Sequence, residues 1–280
     1  MPRESWIRGG GPRVQSALDD VRYKVLRSAV RHVESVGLSI GVDSAFVERI
    51  SADAGVSAKQ FSGAWPSTKA FLTELFCELA NQAQIDRADT ETLLTTWQYL
   101  GMRVDDLRSE AGRRSILIDV IRTAAEYNFE AVTGSSKWRT YAALSTTITA
   151  WPEDESRTRV LDALRASELS FIETMESFYR NILPTVGYRL KPEFKNDYQP
   201  FVVAAAAVIE GLGIVRSTVP SIVEAHFELP ARDGVDTETW SVASLAFMGV
   251  VDAFIELDPA FVPDEAIRRL SSGVDVTPQS

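Results

Sequence analysis

Apolar residues recur at helical spacing along almost the whole chain. Val21, Val25, Ala29, Val33 and Val36 form one stripe, widened by Leu26 and Val30, as one face of a 3.6-residue helix requires. Asp19 and Asp20 favour a helix start there, and Gly37 is placed to stop it. A short second helix is predicted over Ala45 to Ala54, with Ser44 as its cap and Phe46, Val47 and Ile50 facing inward. Gly55 breaks the pattern, and Ser57 caps a third helix with Gln60 at the reciprocal position of a capping box. Pro66-Ser67 then opens a fourth, about Thr68 to Asp86, carrying Phe71, Leu72, Leu75, Phe76 and Leu79. Longer helices are expected near 91–108, 112–132, 136–150, 154–183, 197–218, 237–257 and 264–271. The breaks between them are Gly134, Trp151-Pro152, Pro184 to Pro192, Pro220 and the Pro230 to Gly234 loop. The expected fold class is all-α, with a small helical head and a larger helical body.

Composition narrows the chemistry. The 280 residues are 45% apolar and 24% charged, which suits a soluble globular chain. A single cysteine, Cys77, gives neither a disulfide framework nor a Cys-based zinc site. His32 and His226 are the only histidines, so no metal and no cofactor is expected. The longest unbroken apolar run, Phe201 to Ile209, has nine residues, against the ~20 needed to span a bilayer. With no apolar signal core near Arg3, Glu4 and Arg8, a cytoplasmic protein without membrane contact is expected. Charge is uneven: the net is −10, yet residues 1–70 hold ten basic and seven acidic residues. A mildly basic head therefore precedes a strongly acidic body.

The stretch Phe46 to Phe71 carries the functional signal. Two short helices joined by a glycine turn make a helix-turn-helix, in which the second helix can enter a DNA major groove. The run Val25-Leu26-Arg27-Ser28-Ala29, then Gly37, then Ile50-Ser51-Ala52-Asp53-Ala54-Gly55-Val56-Ser57 resembles the N-terminal domain of TetR/AcrR-family transcriptional regulators. Phe61, Trp65-Pro66-Ser67 and Ala70-Phe71-Leu72 continue the pattern in register. The resemblance covers roughly residues 20 to 80. It implies a three-helix DNA-binding head, an all-α effector-binding and dimerising body, and repression relieved by a small molecule. The corresponding domains are a flexible arm over 1–18, the helix-turn-helix head over 19–66, the body over 67–271 and a tail over 272–280.

The departures from the family pattern lie in the recognition helix. Its phosphate-reaching Tyr and the residues after it are replaced by Ser62, Gly63 and Ala64, and the Lys that opens the fourth helix by Thr68, with Lys69 beside it. The polar readers left are Lys59, Gln60 and Ser62. Gln can pair with adenine and Lys with guanine. Ser44, Arg49, Ser57 and Lys69 complete the expected contacts to double-stranded operator DNA, Arg49 and Lys69 through the backbone. An arm with Arg3, Arg8, Gly9 to Gly11, Pro12 and Arg13 either reaches a minor groove or is a disordered leader.

In the body, Ala204 to Ala207, Gly211 and Gly213 would let another helix approach closely. The helices near 197–218 and 237–257 correspond to those the family uses to form homodimers. Glu210 and Asp252 on them read as solvent-facing. The helix at 154–183 carries Leu161, Leu164, Phe171, Ile172, Met175 and Phe178, with Glu168 on the same stripe, and Asn128 interrupts that of Leu117, Ile121 and Ala124. Asn128, Trp138, Tyr141, Glu168, Phe171 and Met175 are the candidate lining of a large apolar cavity for a small hydrophobic effector.

Two other functions compete. One is a TetR-like small-molecule-binding protein with weak or lost DNA binding. The other is an all-α enzyme: Asp105-Asp106-Leu107-Arg108-Ser109-Glu110 resembles the aspartate-rich magnesium motif of terpenoid synthases. The second metal motif of that family is missing, because Asn196-Asp197 runs into Tyr198-Gln199-Pro200. No Gly-rich phosphate loop, GxSxG or HExxH is present either, so the chain is not expected to be an enzyme.

Overall fold

A computed structural model describes residues 12–38, 44–82, 90–231 and 237–271. Twelve α-helices and four short strands occur among them, and the chain is all-α in class. It divides into two compact units, one of residues 1–83 with 139–167 and one of 84–138 with 168–280. The border therefore differs from the one drawn at residue 66: the fourth helix and residues 139–167 belong with the head.

In the first unit, α1 (Pro12–Val36), α2 (Ser44–Asp53), α3 (Ala58–Ala64) and α4 (Thr68–Gln82) follow one another. Residues 1–11 of the expected arm lie outside the described residues, and Pro12 to Leu18 are helical rather than flexible. Pro12 suits a first helical position, where its missing N–H costs nothing. α1 ends at Gly37, which takes φ +87° while its N–H bonds Val33 O at 2.8 Å. Gly55 takes φ +67° between α2 and α3. Both are left-handed conformations that disfavour any residue with a Cβ. Val25, Ala29, Ile50, Phe71, Leu75, Leu144 and Val160 are buried together in the unit's core. Phe61, Trp65 and Phe71 stack edge-on or tilted, with centroids 4.9 to 5.3 Å apart.

The second unit holds α5 (Thr90–Met102), a 3₁₀ turn over Val104–Arg108, and α6 (Glu110–Gly134). The long α8 (Glu155–Thr185) contributes its residues from 168 onward, while α7 (Ser136–Thr147) lies mostly in the first unit. β1 (Tyr188–Leu190), α9 (Gln199–Arg216), α10 (Pro220–Val223), β2 (His226–Pro230), β3 (Thr237–Ser241), α11 (Val242–Phe254), β4 (Ile255–Leu257) and α12 (Pro263–Ser271) complete it. β1 pairs with β4, and β2 with β3, both antiparallel. The expected helix at 237–257 is thus cut down to α11 between two strands. Thr237-Glu238-Thr239-Trp240 alternates with period two and is rich in β-branched and aromatic residues, which suits a strand. Ser241 ends that strand by capping α11, accepting from the Ser244 N–H at 3.2 Å. α6, α9 and α11 pack on one another. The expected tail over 272–280 lies outside the described residues.

α9 is a longer apolar helix than the nine-residue run alone suggests. Over Gln199–Arg216 it is long and apolar enough, by length and composition, to cross a membrane, with mean hydropathy 1.4. The nine-residue run stops at Glu210, but that lone acid does not stop the helix, whose next six residues end at Arg216. Within the second unit one side of α9 is instead covered by protein: Phe201, Val202, Ala205, Ile209 and Gly213 are buried.

Candidate functional site

The first candidate surface is built on α3. Ser57 caps it with both arms of a capping box: its Oγ accepts from the Gln60 N–H, and its own N–H donates to Gln60 Oε1 at 2.9 Å. The Ser57 hydroxyl donates to the same Oε1 at 2.7 Å. Both lone pairs of that oxygen are therefore engaged. The other end is tied to α1, since Arg22 donates from Nε and Nη2 to the Ala64 carbonyl at 3.2 and 2.9 Å. Sequence reasoning missed Arg22, because a bond across 42 residues leaves no local signature. Trp65 follows the helix and donates its indole N–H to Glu74 at 2.6 Å.

This geometry revises the expected readers. Gln60 is exposed, but bidentate pairing with adenine needs its carbonyl oxygen as acceptor, and the cap already holds it. The cap and the base readout were assigned to one side chain, and they compete for one atom. The Ser62 hydroxyl donates back to Ala58 O one turn earlier, which leaves it only acceptor capacity. Lys69 is tied to Asp154 at 2.6 Å rather than left for a phosphate. That bond, followed by the Arg157 N–H, holds the Asp154 carboxyl below the ordinary carboxylate range. Lys59 and Arg49 are exposed. Ser44 opens α2, and its side chain is outside the described residues.

The second candidate is an apolar cavity of about 140 Å³ in the second unit. Asn128 of α6 and Phe171 and Met175 of α8 line it, as their stripes predicted, together with Tyr179, Phe201 and Phe247. Three expected residues do not. Trp138 is buried with its ring on Gly213: a Cβ there would lie 2.6 Å from Cη2. Tyr141 belongs to the core of the first unit, and Glu168 is half-buried outside the lining. Glu168 lies on the apolar stripe of one helix and Trp138 and Tyr141 on the helix before it, and neither position says which side chain faces a void.

Glu210, read as solvent-facing, lines the cavity. The signal was present, since Val202, Ala205, Ala206, Ile209 and Glu210 all line it at helical spacing. Tyr179 adds a phenol whose pKa burial pushes well up, so it stays neutral as a hydrogen-bonding group. The cavity is smaller than expected. Sites for drug-sized ligands span about 300–1,000 Å³, whereas a dry apolar void of about 150 Å³ holds benzene. The space fits one small, largely apolar molecule.

One carboxylate of the aspartate-rich string is committed to an arginine. Asp106 bonds Arg103, which also reaches Tyr99 at 2.6 Å and Asp119 at 2.9 Å. Asp105 stands exposed at the 3₁₀ turn. No group of three or more His, Cys, Asp or Glu side chains gathers as a metal site among the described residues.

Comparison with family models, curated proteins and solved structures gives no match to this chain.

Proposed function

We propose that the protein is a homodimeric, ligand-responsive DNA-binding regulator of the TetR kind, a repressor released by a small hydrophobic effector. The observation that carries this reading is the α2–Gly55–α3 arrangement: a short helix, a left-handed glycine and a fully capped second helix, placed where the sequence resembles that family's DNA-binding head. Two such heads read a roughly palindromic site, with half-sites about one helical turn (~34–36 Å) apart. The apolar cavity supplies the effector site. The dimer reading rests on the outer face of α9, where Val203 and Ile214 are exposed and Gly211 has nothing within 4 Å.

Selection of bound sequences from random DNA, at low salt and without effector, tests the reading. A palindromic motif is the expected result, and no enrichment overturns it. Gln60→Ala sharpens the test. If Gln60 leaves its cap to read a base, the variant loses about 1–3 kcal/mol of discrimination at one position. If the cap keeps it, specificity is unchanged and only helix stability falls.

A second reading is favoured by the same bonds. With Gln60, Ser62 and Lys69 engaged internally, a binding protein that has lost its DNA accounts for the thin reading surface. Tight effector binding without any selected motif is its signature.

A further inference from the structure

Exposed apolar surface is concentrated in one stretch of the second unit. Of the thirteen exposed large hydrophobic side chains among the described residues, seven lie between Val203 and Leu229. Ion pairs hold the last part of that stretch against a single turn of α6. Arg216 at the end of α9 bonds Glu130 at 2.9 Å and Glu224, after α10, at 2.7 Å. His226, which opens β2, bonds Glu126 at 2.7 Å. Between the two glutamates, Tyr127 is itself exposed. Val215, Val219, Ile222 and Phe227 therefore gather near one end of α6.

β2 completes the patch. All five of its residues are exposed, and its only strand neighbour among the described residues is β3. β3 ends in buried Trp240 and Ser241, so β2 is the outer strand, with an open hydrogen-bonding edge. Phe227 and Leu229 stand on that edge 46% and 36% exposed. Edge strands in stable monomers are normally blunted by charge, bulges or cover. Here the strand carries one acidic side chain, Glu228, and Pro230 at its end cannot donate.

We propose that the outer edge of β2 pairs antiparallel with β2 of a second copy of this chain, about a two-fold axis at Phe227. The inference rests on the homodimer proposed above and adds β2 to the outer face of α9 as a second element that joins the copies. Charge selects the register. With Phe227 opposite itself, His226 faces Glu228 of the second copy and Glu228 faces its His226, while Leu229 lies across from Ala225. Centring on Glu228 would oppose two like charges, and the register between would set Phe227 against a carboxylate. Only the first joins aromatic to aromatic, a pair that stabilises antiparallel ladders, while keeping Glu228 away from a second carboxylate. His226 is already held by Glu126 and the Glu224 carbonyl, and Glu228 accepts from Thr239. It also leaves Pro230 beyond the paired run. Glu126, Glu130, Glu224 and Glu228 outnumber Arg216 and His226, to which three of them are bonded, and this makes an anionic bilayer a poorer occupant.

Cysteine cross-linking reads the axis directly. In a Cys77→Ser background, Phe227→Cys places two thiols directly opposite, within reach of a disulfide. Glu228→Cys and Leu229→Cys separate the like positions by about 7 and 13 Å along the strands, beyond that reach. Under mild oxidation, position 227 should cross-link at least ten-fold faster than 228 or 229. Equal rates, or no cross-link in a chain that light scattering finds dimeric, overturn the inference and leave the dimer reading standing. A monomer at micromolar concentration overturns both. Flotation of the native chain with neutral phosphatidylcholine vesicles, abolished by Phe227→Glu, gives the patch to a lipid surface and also overturns the inference.

Discussion

The two units treat apolar surface differently. Among the described residues, the first leaves only Tyr23 and Val36 as exposed large hydrophobics, whereas the second leaves eleven. In the first, some polar groups are also closed on partners within the unit, Gln60 on Ser57, Trp65 on Glu74 and Lys69 on Asp154, although the Ser51, Ser145 and Ser167 hydroxyls are buried without one. The second holds an apolar cavity, and its strand β2 has no second strand neighbour among the described residues. A region that covers its apolar surface has little of it left to offer a partner. A region that leaves apolar area open lowers its free energy when something covers it. The first unit therefore has little uncovered apolar area, and the proposed ligand and subunit contacts both fall on the second.

The hardest test of that contrast is a cavity made in the first unit. Phe71 is completely buried and stacks on both Phe61 and Trp65. Phe71→Ala should cost about 3–5 kcal/mol, seen as a lowered urea midpoint of the Trp65 fluorescence transition. A loss below about 1 kcal/mol would mean that the core around Phe71 is not tightly closed.

A pair of glycines on α9 sharpens the contrast from the other side. A Cβ on Gly213 would lie 2.5 Å from Thr133 Cγ2 and 2.6 Å from Trp138 Cη2, whereas one on Gly211 meets nothing. Gly213→Ala should therefore destabilise by about 1–3 kcal/mol through overpacking. Gly211→Ala should stabilise the isolated fold by up to about 1 kcal/mol through helix propensity. Denaturant titration at a concentration where the protein is monomeric separates the two. If a second copy packs on Gly211, the gain at that site shrinks as protein concentration rises.

These glycines also show what the sequence could tell. Gly211 and Gly213 look alike in the string Glu210-Gly211-Leu212-Gly213, and both suggested close approach between subunits. One instead receives Trp138 of its own unit, a contact that depends on where a distant helix ends. The α3 cap was readable because Ser57 and Gln60 are three residues apart and need nothing else. The cavity was half readable: periodicity found Asn128, Phe171 and Met175 but could not separate void from packing at Trp138 and Tyr141. The β2–β3 pair was not readable, because a five-residue strand gives too short an alternation to outweigh the helical stripes around it.

A smaller effect is expected at the α3 cap. Ser57→Ala removes the acceptor for the Gln60 N–H and should cost about 1 kcal/mol. It also frees Gln60 Oε1 from the serine hydroxyl, though not from the backbone N–H. If the first unit's stability depends on local closure, hydrogen exchange at Gln60 and Phe61 should accelerate in this variant. Exchange in α9 and α11 should not change.

The smallest expected effect lies on the ion pair that holds the strand edge. Its bond to Glu126, with that carboxylate's charge adding to it, raises the His226 pKa above its ordinary value. A histidine stabilised as the cation in the folded state binds protons more tightly there than in the unfolded chain. Its contribution is therefore fully present below the unfolded pKa and disappears as pH rises through the higher folded one. Both side chains are nearly half exposed, so solvent screening limits the pair to about 0.5 kcal/mol or less. Proton NMR of the His226 ring should show the raised midpoint, and Glu126→Gln should bring it back toward that of a free histidine. In the native chain, unfolding free energy should fall slightly between pH 6 and pH 8, and in Glu126→Gln that slope should flatten. An unchanged midpoint in the variant would mean that Glu126 does not anchor β2, and the open strand edge would lose one of its two ties to α6.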